Sequence, residues 1–121
     1  MTPTVLLIDD SPSIRSVLRV YLMNRLFDFV EASDGMEGLA ALANRSFALV
    51  IADVRMPKLD GIGFVRTIRA SPAPFRQVPV VLLSSARDLE AEGLSAGATA
   101  FVHKPIGREE LCQIVDRLVP P

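Results

Sequence analysis

The sequence predicts an α/β fold: a doubly wound, five-stranded parallel sheet with helices on both faces. Three observations carry that prediction. Short unbroken aliphatic runs recur along the chain, Val5-Leu6-Leu7-Ile8, Leu49-Val50-Ile51-Ala52 and Val80-Val81-Leu82-Leu83. Runs without polar alternation are what strands buried on both faces require. Longer segments of helical period separate them, so the order reads βαβαβαβαβα and calls for parallel strands joined by crossovers.

Each element has its own signal. The first run ends at Asp9-Asp10 and is followed by Ser11-Pro12, a capping side chain and then a proline suited to a first helical turn. Ile14, Val17, Leu18, Tyr21 and Leu22 then keep the spacing of one helix face. Phe29-Val30-Glu31-Ala32 is a weaker second strand, and the turn Asp34-Gly35 opens a helix over 35–45. The third strand ends at Asp53, after which Asp60-Gly61 opens a helix over 61–69. The stretch SPAPFRQVP (71–79) holds three prolines and predicts a loop. The fourth strand ends at Ser84, Ala100-Phe101-Val102 is a weaker fifth, and Leu111, Ile114, Val115 and Leu118 stripe the last helix. Cys112 is expected to pack in that helix as a small apolar residue.

Composition narrows the function classes. At 121 residues the chain suits one domain with a sizeable core, and 50% hydrophobic with 22% charged residues suits a compact fold. A formal net charge of -1 gives no broad reason to expect nucleic acid or a membrane surface as a partner. The single cysteine rules out an intrachain disulfide and fits a reducing compartment. With no signal-peptide pattern and no apolar run long enough to span a bilayer, the expected location is the cytoplasm.

Sites in open parallel sheets lie beyond the carboxyl ends of the strands. Asp9 and Asp10, Asp53, the pair Ser84-Ser85 and Lys104-Pro105 all follow strands, and Lys104 is one of only two lysines, the other being Lys58. Two unit charges ~4 Å apart interact by about 4 kcal/mol at an effective dielectric near 20, so three gathered carboxylates call for a cation. An all-oxygen site with open positions suits Mg²⁺.

Together these residues resemble the receiver domain of two-component response regulators, the CheY-like group. The resemblance rests on Asp9-Asp10, on Asp53 followed by the rest of DVRMPKLDG (53–61), on Ser84, AGA (96–98), Phe101 and KP (104–105). It covers essentially the whole chain, so the domain is expected over 1–121. It implies a flavodoxin-like strand order, 2-1-3-4-5. Asp53 would accept a phosphoryl group from a sensor histidine kinase or a histidine phosphotransfer protein. Mg²⁺ would be bound directly by Asp10, Asp53 and the backbone carbonyl of Arg55, with Asp9 acting largely through water. Lys104 would pair with Asp53 and later with the phosphoryl, and its bond to Pro105 would be cis. Ser84 would swing to the phosphoryl, Phe101 would turn into the vacated space, and the face of the fourth helix, fifth strand and fifth helix would select a downstream target protein. The implied molecule is a switch, not a turnover enzyme, with no direct nucleic-acid or membrane partner, and a monomer or a weak phosphorylation-dependent dimer.

Other readings are kept beside this one. The chain reads as a free-standing receiver; an N-terminal receiver cut from a longer regulator, a pseudo-receiver and an aspartyl-phosphate phosphohydrolase are the alternatives. Phosphohydrolases of that type place a D-x-D pattern after the first strand, whereas here the acids are contiguous. Ser84 could serve ordinary turn chemistry, with Ser85 competing for its role, and Phe101 could be plain core. His103 is expected to be structural or exposed, Gly61 and Gly97 to serve backbone geometry, and Met56-Pro57 to shape the loop. Two departures from the resemblance stand out. The segment from Ser84 to Gly97 is about half a turn short and poor in apolar residues, so the fourth helix is expected to be short, shifted or frayed. Arg55, two positions after Asp53, is expected to shield an acyl phosphate from water.

Overall fold

The computed structural model describes residues 2–120. Its sheet has five parallel strands, β1 (Thr4–Ile8), β2 (Asp28–Ala32), β3 (Leu49–Asp53), β4 (Val80–Ser84) and β5 (Ala100–His103), in the order β2-β1-β3-β4-β5. The helices are α1 (Pro12–Tyr21), α2 (Gly35–Asn44), α3 (Gly61–Ala70), α4 (Glu90–Ala96) and α5 (Arg108–Leu118). The predicted fold class holds.

The continuous aliphatic runs are central strands because both of their faces are covered. Leu6, Ile8, Val50, Ala52 and Leu82 point to one side, where Phe64, Val65 and Ile68 of α3 complete the core. Val5, Leu7, Ile51, Val81 and Leu83 point to the other, against Leu18 of α1 and Leu111 and Val115 of α5. Successive strand residues alternate between these two cores, as a period of two requires. β2 and β5 are the edge strands and are only partly buried, which accounts for their mixed sequences.

Local chemistry starts the helices as well. Ser11 Oγ accepts from the N–H of Ile14 at 3.3 Å with Pro12 opening α1. The acids of the two Asp-Gly pairs are themselves helix caps: Asp34 accepts from Glu37 N–H at 2.8 Å and Asp60 from Gly63 N–H at 2.7 Å. The glycines that follow them allow close approach. A Cβ on Gly61 would run into the carbonyl oxygen of Asp53, and one on Gly35 would meet that of Leu59. Gly97 instead ends α4 in the left-handed region, at φ 117°.

The structure sharpens expectation in three places. The proline-rich loop contains a 3-10 turn, Pro74–Gln77, because proline suits a first turn even where it forbids a longer helix. β3 and β4 continue through Asp53 and Ser84, so both residues belong to the ladder and not to the loops. α4 has only seven residues and follows a 3-10 turn, Arg87–Leu89, which makes the short fourth helix concrete.

Candidate functional site

Main-chain bonds align the carboxyl edge of the sheet. Asp9 N–H donates to Ala32 O at 3.1 Å, Val54 N–H to Leu83 O at 2.9 Å and Lys104 N–H to Ser84 O at 2.9 Å. The ladder thus brings together side chains that are far apart in sequence. Carboxylate oxygens of Asp9, Asp10 and Asp53 all lie within 4.8 Å of one another. Asp9 and Asp53 are buried, and Asp10 is exposed at the mouth. Lys104 Nζ sits 3.1 Å from Asp53 Oδ1.

This arrangement is electrostatically unfavourable as it stands. Burial pushes the Asp53 carboxyl above its ordinary value; Lys104 pulls it down, and Asp10 pushes it up further. Burial likewise raises Asp9, opposed by its bond from Ser11 N–H and reinforced by the charge of Asp53. Asp9 Oδ1 accepts that bond at 2.8 Å, while Oδ2 is buried without a partner. A buried carboxylate oxygen with no donor, beside two further acids, is what a hard oxygen-seeking cation would complete. The donor set therefore fits Mg²⁺.

The remaining predicted residues lie in the loop after β3, at the end of β4 and along β5. Arg55 is exposed and shares with Asp10, Met56, Pro57, Asp60 and Leu89 a groove of about 510 Å³ beside the acids. Larger hollows, about 700 and 810 Å³, lie around Phe47 and Phe75 and around Leu26 and Val119, away from the acids, and carry no comparable chemistry. Ser84 Oγ accepts from Ala86 N–H at 3.0 Å, so in this conformer the hydroxyl is engaged in its own turn. Phe101 is half-buried, with its ring edge packed over Gly93 of α4. The peptide bond Lys104–Pro105 is cis.

The partners of three residues were not legible in the sequence. Arg15, one turn into α1, donates to the backbone carbonyl of Asp9 and pairs with Glu31 Oε1 at 2.8 Å, which fixes the start of the acidic loop. Lys58 takes a positive φ of 69° in the loop after Asp53 and reaches Asp34 Oδ2 at 3.6 Å. His103 contacts Glu90 on α4, 13 positions away. The helical spacing of Arg15 from Ser11 was a usable signal. Nothing in the sequence marks Lys58 for the left-handed region, which favours glycine or asparagine.

The family described as response regulator receiver domain matches residues 5–116. The chain belongs to that family. Among curated proteins, the receiver aligns at 40% identity over 94% of its length with the gliding motility regulatory protein of Myxococcus xanthus, of which it spans 15%. It is 34% identical over 96% of its length to protein PilG of Pseudomonas aeruginosa and spans 87% of that protein. Among solved structures, the chemotaxis response regulator CheY4 of Vibrio cholerae superposes with a TM-score of 0.88 at 30% identity, covering 98% of this receiver and 100% of CheY4. Receiver domains are signalling switches linked to histidine kinases and downstream effectors. No helix among the described residues is long and apolar enough to cross a membrane.

Proposed function

We propose that residues 1–121 form one receiver that takes a phosphoryl group on Asp53 from the phosphohistidine of a sensor kinase or phosphotransfer protein and signals through the surface of α4, β5 and α5. The observation that carries this reading is the buried Asp53 carboxylate held 3.1 Å from Lys104 and within 4.8 Å of the oxygens of Asp9 and Asp10. An Asp53 oxygen attacks phosphorus, the P–N bond of the phosphohistidine breaks, and its electron pair returns to the imidazole nitrogen, leaving an acyl phosphate on Asp53. The transition state spreads charge over three equatorial oxygens, and the Lys104 ammonium is placed to meet one of them. Asp10, Asp53 and the carbonyl of Arg55 would hold Mg²⁺, with Asp9 supporting through water; the metal supplies charge neutralisation for the acids and the incoming phosphoryl.

The switch uses the same groups. Ser84 releases the Ala86 N–H, turns to a phosphoryl oxygen and opens space for Phe101. Moving a population from 1:99 to 99:1 takes about 5.5 kcal/mol of differential stabilisation. A charge-assisted hydrogen bond contributes roughly 1.5–3 kcal/mol, so Ser84 needs Lys104 and a bound partner to complete the change. The place of action is the cytoplasm, the partner surface takes a target protein rather than nucleic acid or membrane, and the chain works as a monomer or a weak phosphorylation-dependent dimer.

Incubation with Mg²⁺ and acetyl phosphate, followed by intact-mass measurement, tests the reading. One phosphoryl adduct is expected on the parent and none at this position on Asp53→Asn. A parent that stays unmodified refutes it in favour of a pseudo-receiver, and sustained turnover of simple phosphomonoesters would favour a phosphohydrolase. Arg55, exposed along the groove beside the acids, would hinder attacking water. Phosphorylated Arg55→Ala should lose its label several-fold faster in a decay time course; equal or slower loss removes that role.

A further inference from the structure

The contact between β5 and α4 has a chemistry that the phosphorylation scheme does not use. His103 ends β5, one residue before Lys104 and opposite Ser84 in the strand register. Its Nε2 lies 2.6 Å from Oε1 of Glu90, the first residue of α4. His103 Nδ1 is buried with no partner. With its hydrogen on Nε2 the ring donates to the carboxylate and leaves only a lone pair bare at Nδ1, the lesser of the two orphan costs. The imidazole also lies 5.3 Å from the ring of Phe101, whose edge packs over Gly93 of the same helix. α4 packs on α3 and β5, but its N-terminus has no side-chain cap, and Gly93 is its only buried residue. Its pair between Glu92 and Arg66, at 3.4 Å, is half-exposed and adds little.

We infer that the His103–Glu90 contact is a latch that holds α4 and Phe101 in the resting arrangement and opposes the switch. The inference rests on the phosphorylation reading and names a restraint on the same site. Ser84 and Lys104 flank His103 across and along the sheet, so drawing both toward a phosphoryl group displaces the strand end that carries the imidazole. Glu90 has to follow or let go. Breaking the contact therefore favours the switched state before any phosphoryl arrives.

The test compares the full chain with Glu90→Ala, His103→Val, the double variant and Glu92→Ala. Beryllofluoride with Mg²⁺, an inert phosphoryl mimic, is titrated calorimetrically. Each latch variant should bind roughly 3- to 10-fold more tightly than the parent, and the double variant no more tightly than the tighter single. Glu92→Ala should match the parent. Amide exchange across residues 87–96 without metal or mimic should also quicken in Glu90→Ala, whose side chain is exposed enough to be removed without threatening the fold. Parent binding that Glu90→Ala leaves unchanged or weakens, or unchanged exchange across 87–96, overturns the latch and leaves the phosphorylation reading standing. No binding by the parent overturns the phosphorylation reading, and the regulatory role falls with it.

Discussion

α3 and α4 each follow a strand that ends in a proposed site residue, Asp53 for one and Ser84 for the other, yet they are built differently. α3 has ten residues, is capped by Asp60, and buries Ile62, Phe64, Val65 and Ile68. α4 has seven, no side-chain cap, and one buried residue, a glycine. Apolar burial at roughly 25 cal/mol per Å² fixes the first helix, and the second lacks that anchorage. The difference teaches where rigidity and movement are kept: the acids rest beside a helix that is hard to displace, and the proposed responder rests beside one that is easy to displace.

The contrast can be attacked from its strongest point downward. Phe64→Ala removes a fully buried ring and should cost about 3–5 kcal/mol in urea denaturation. A loss below ~1 kcal/mol would mean that α3 is not the anchor described. Asp60→Ala deletes the cap bond to Gly63 and should cost about 1 kcal/mol in the same assay. No loss would put the cap of α3 on a par with the uncapped start of α4.

Asp53→Asn sharpens the comparison by separating rigidity from charge. The folded-state pKa of Asp53 lies above its ordinary value of 3.8, chiefly because the carboxyl is buried. The ionised group therefore destabilises the fold above that raised value, and the cost disappears below the unfolded one. In metal-free protein Asp53→Asn should raise Tm by about 2 °C at neutral pH. The gain should fade as pH falls through the raised value toward 3.8. A gain that persists in acid would show that burial of the charge is not its cause. The smallest effect is expected at Leu94→Ala on α4, within about 0.5 kcal/mol, since Leu94 is 41% exposed.

How much could be read beforehand follows the same physics. β1, β3 and β4 were legible because both faces are buried, and the acids because each closes or directly follows such a run; Lys104 follows the weaker β5 and was legible as one of two lysines, with a proline after it. β2 and β5 were faint because an edge strand tolerates Glu31 or His103. The acids Asp34 and Asp60 were legible as turn residues, while their capping role depends on a backbone N–H three positions on. The turn at Pro74–Gln77 was hidden by prolines that usually exclude a helix. Cys112 was expected only to pack; its Sγ also donates to Tyr21 O at 3.3 Å, a link across 91 positions. The tie from Glu90 to His103 was illegible for a similar reason, since contacts between elements depend on how a helix lands on its sheet and leave no local pattern.

The bonds from Val54 to Leu83 and from Lys104 to Ser84 belong to the main chain, so no side-chain replacement deletes them. Spacing between the three strand ends is thus a property of the scaffold, and reactivity a property of whatever is mounted on it. Exchanging the groups at 53, 84 and 104 should change the chemistry while keeping the alignment, which makes this edge of the sheet a ready frame for building other three-point sites.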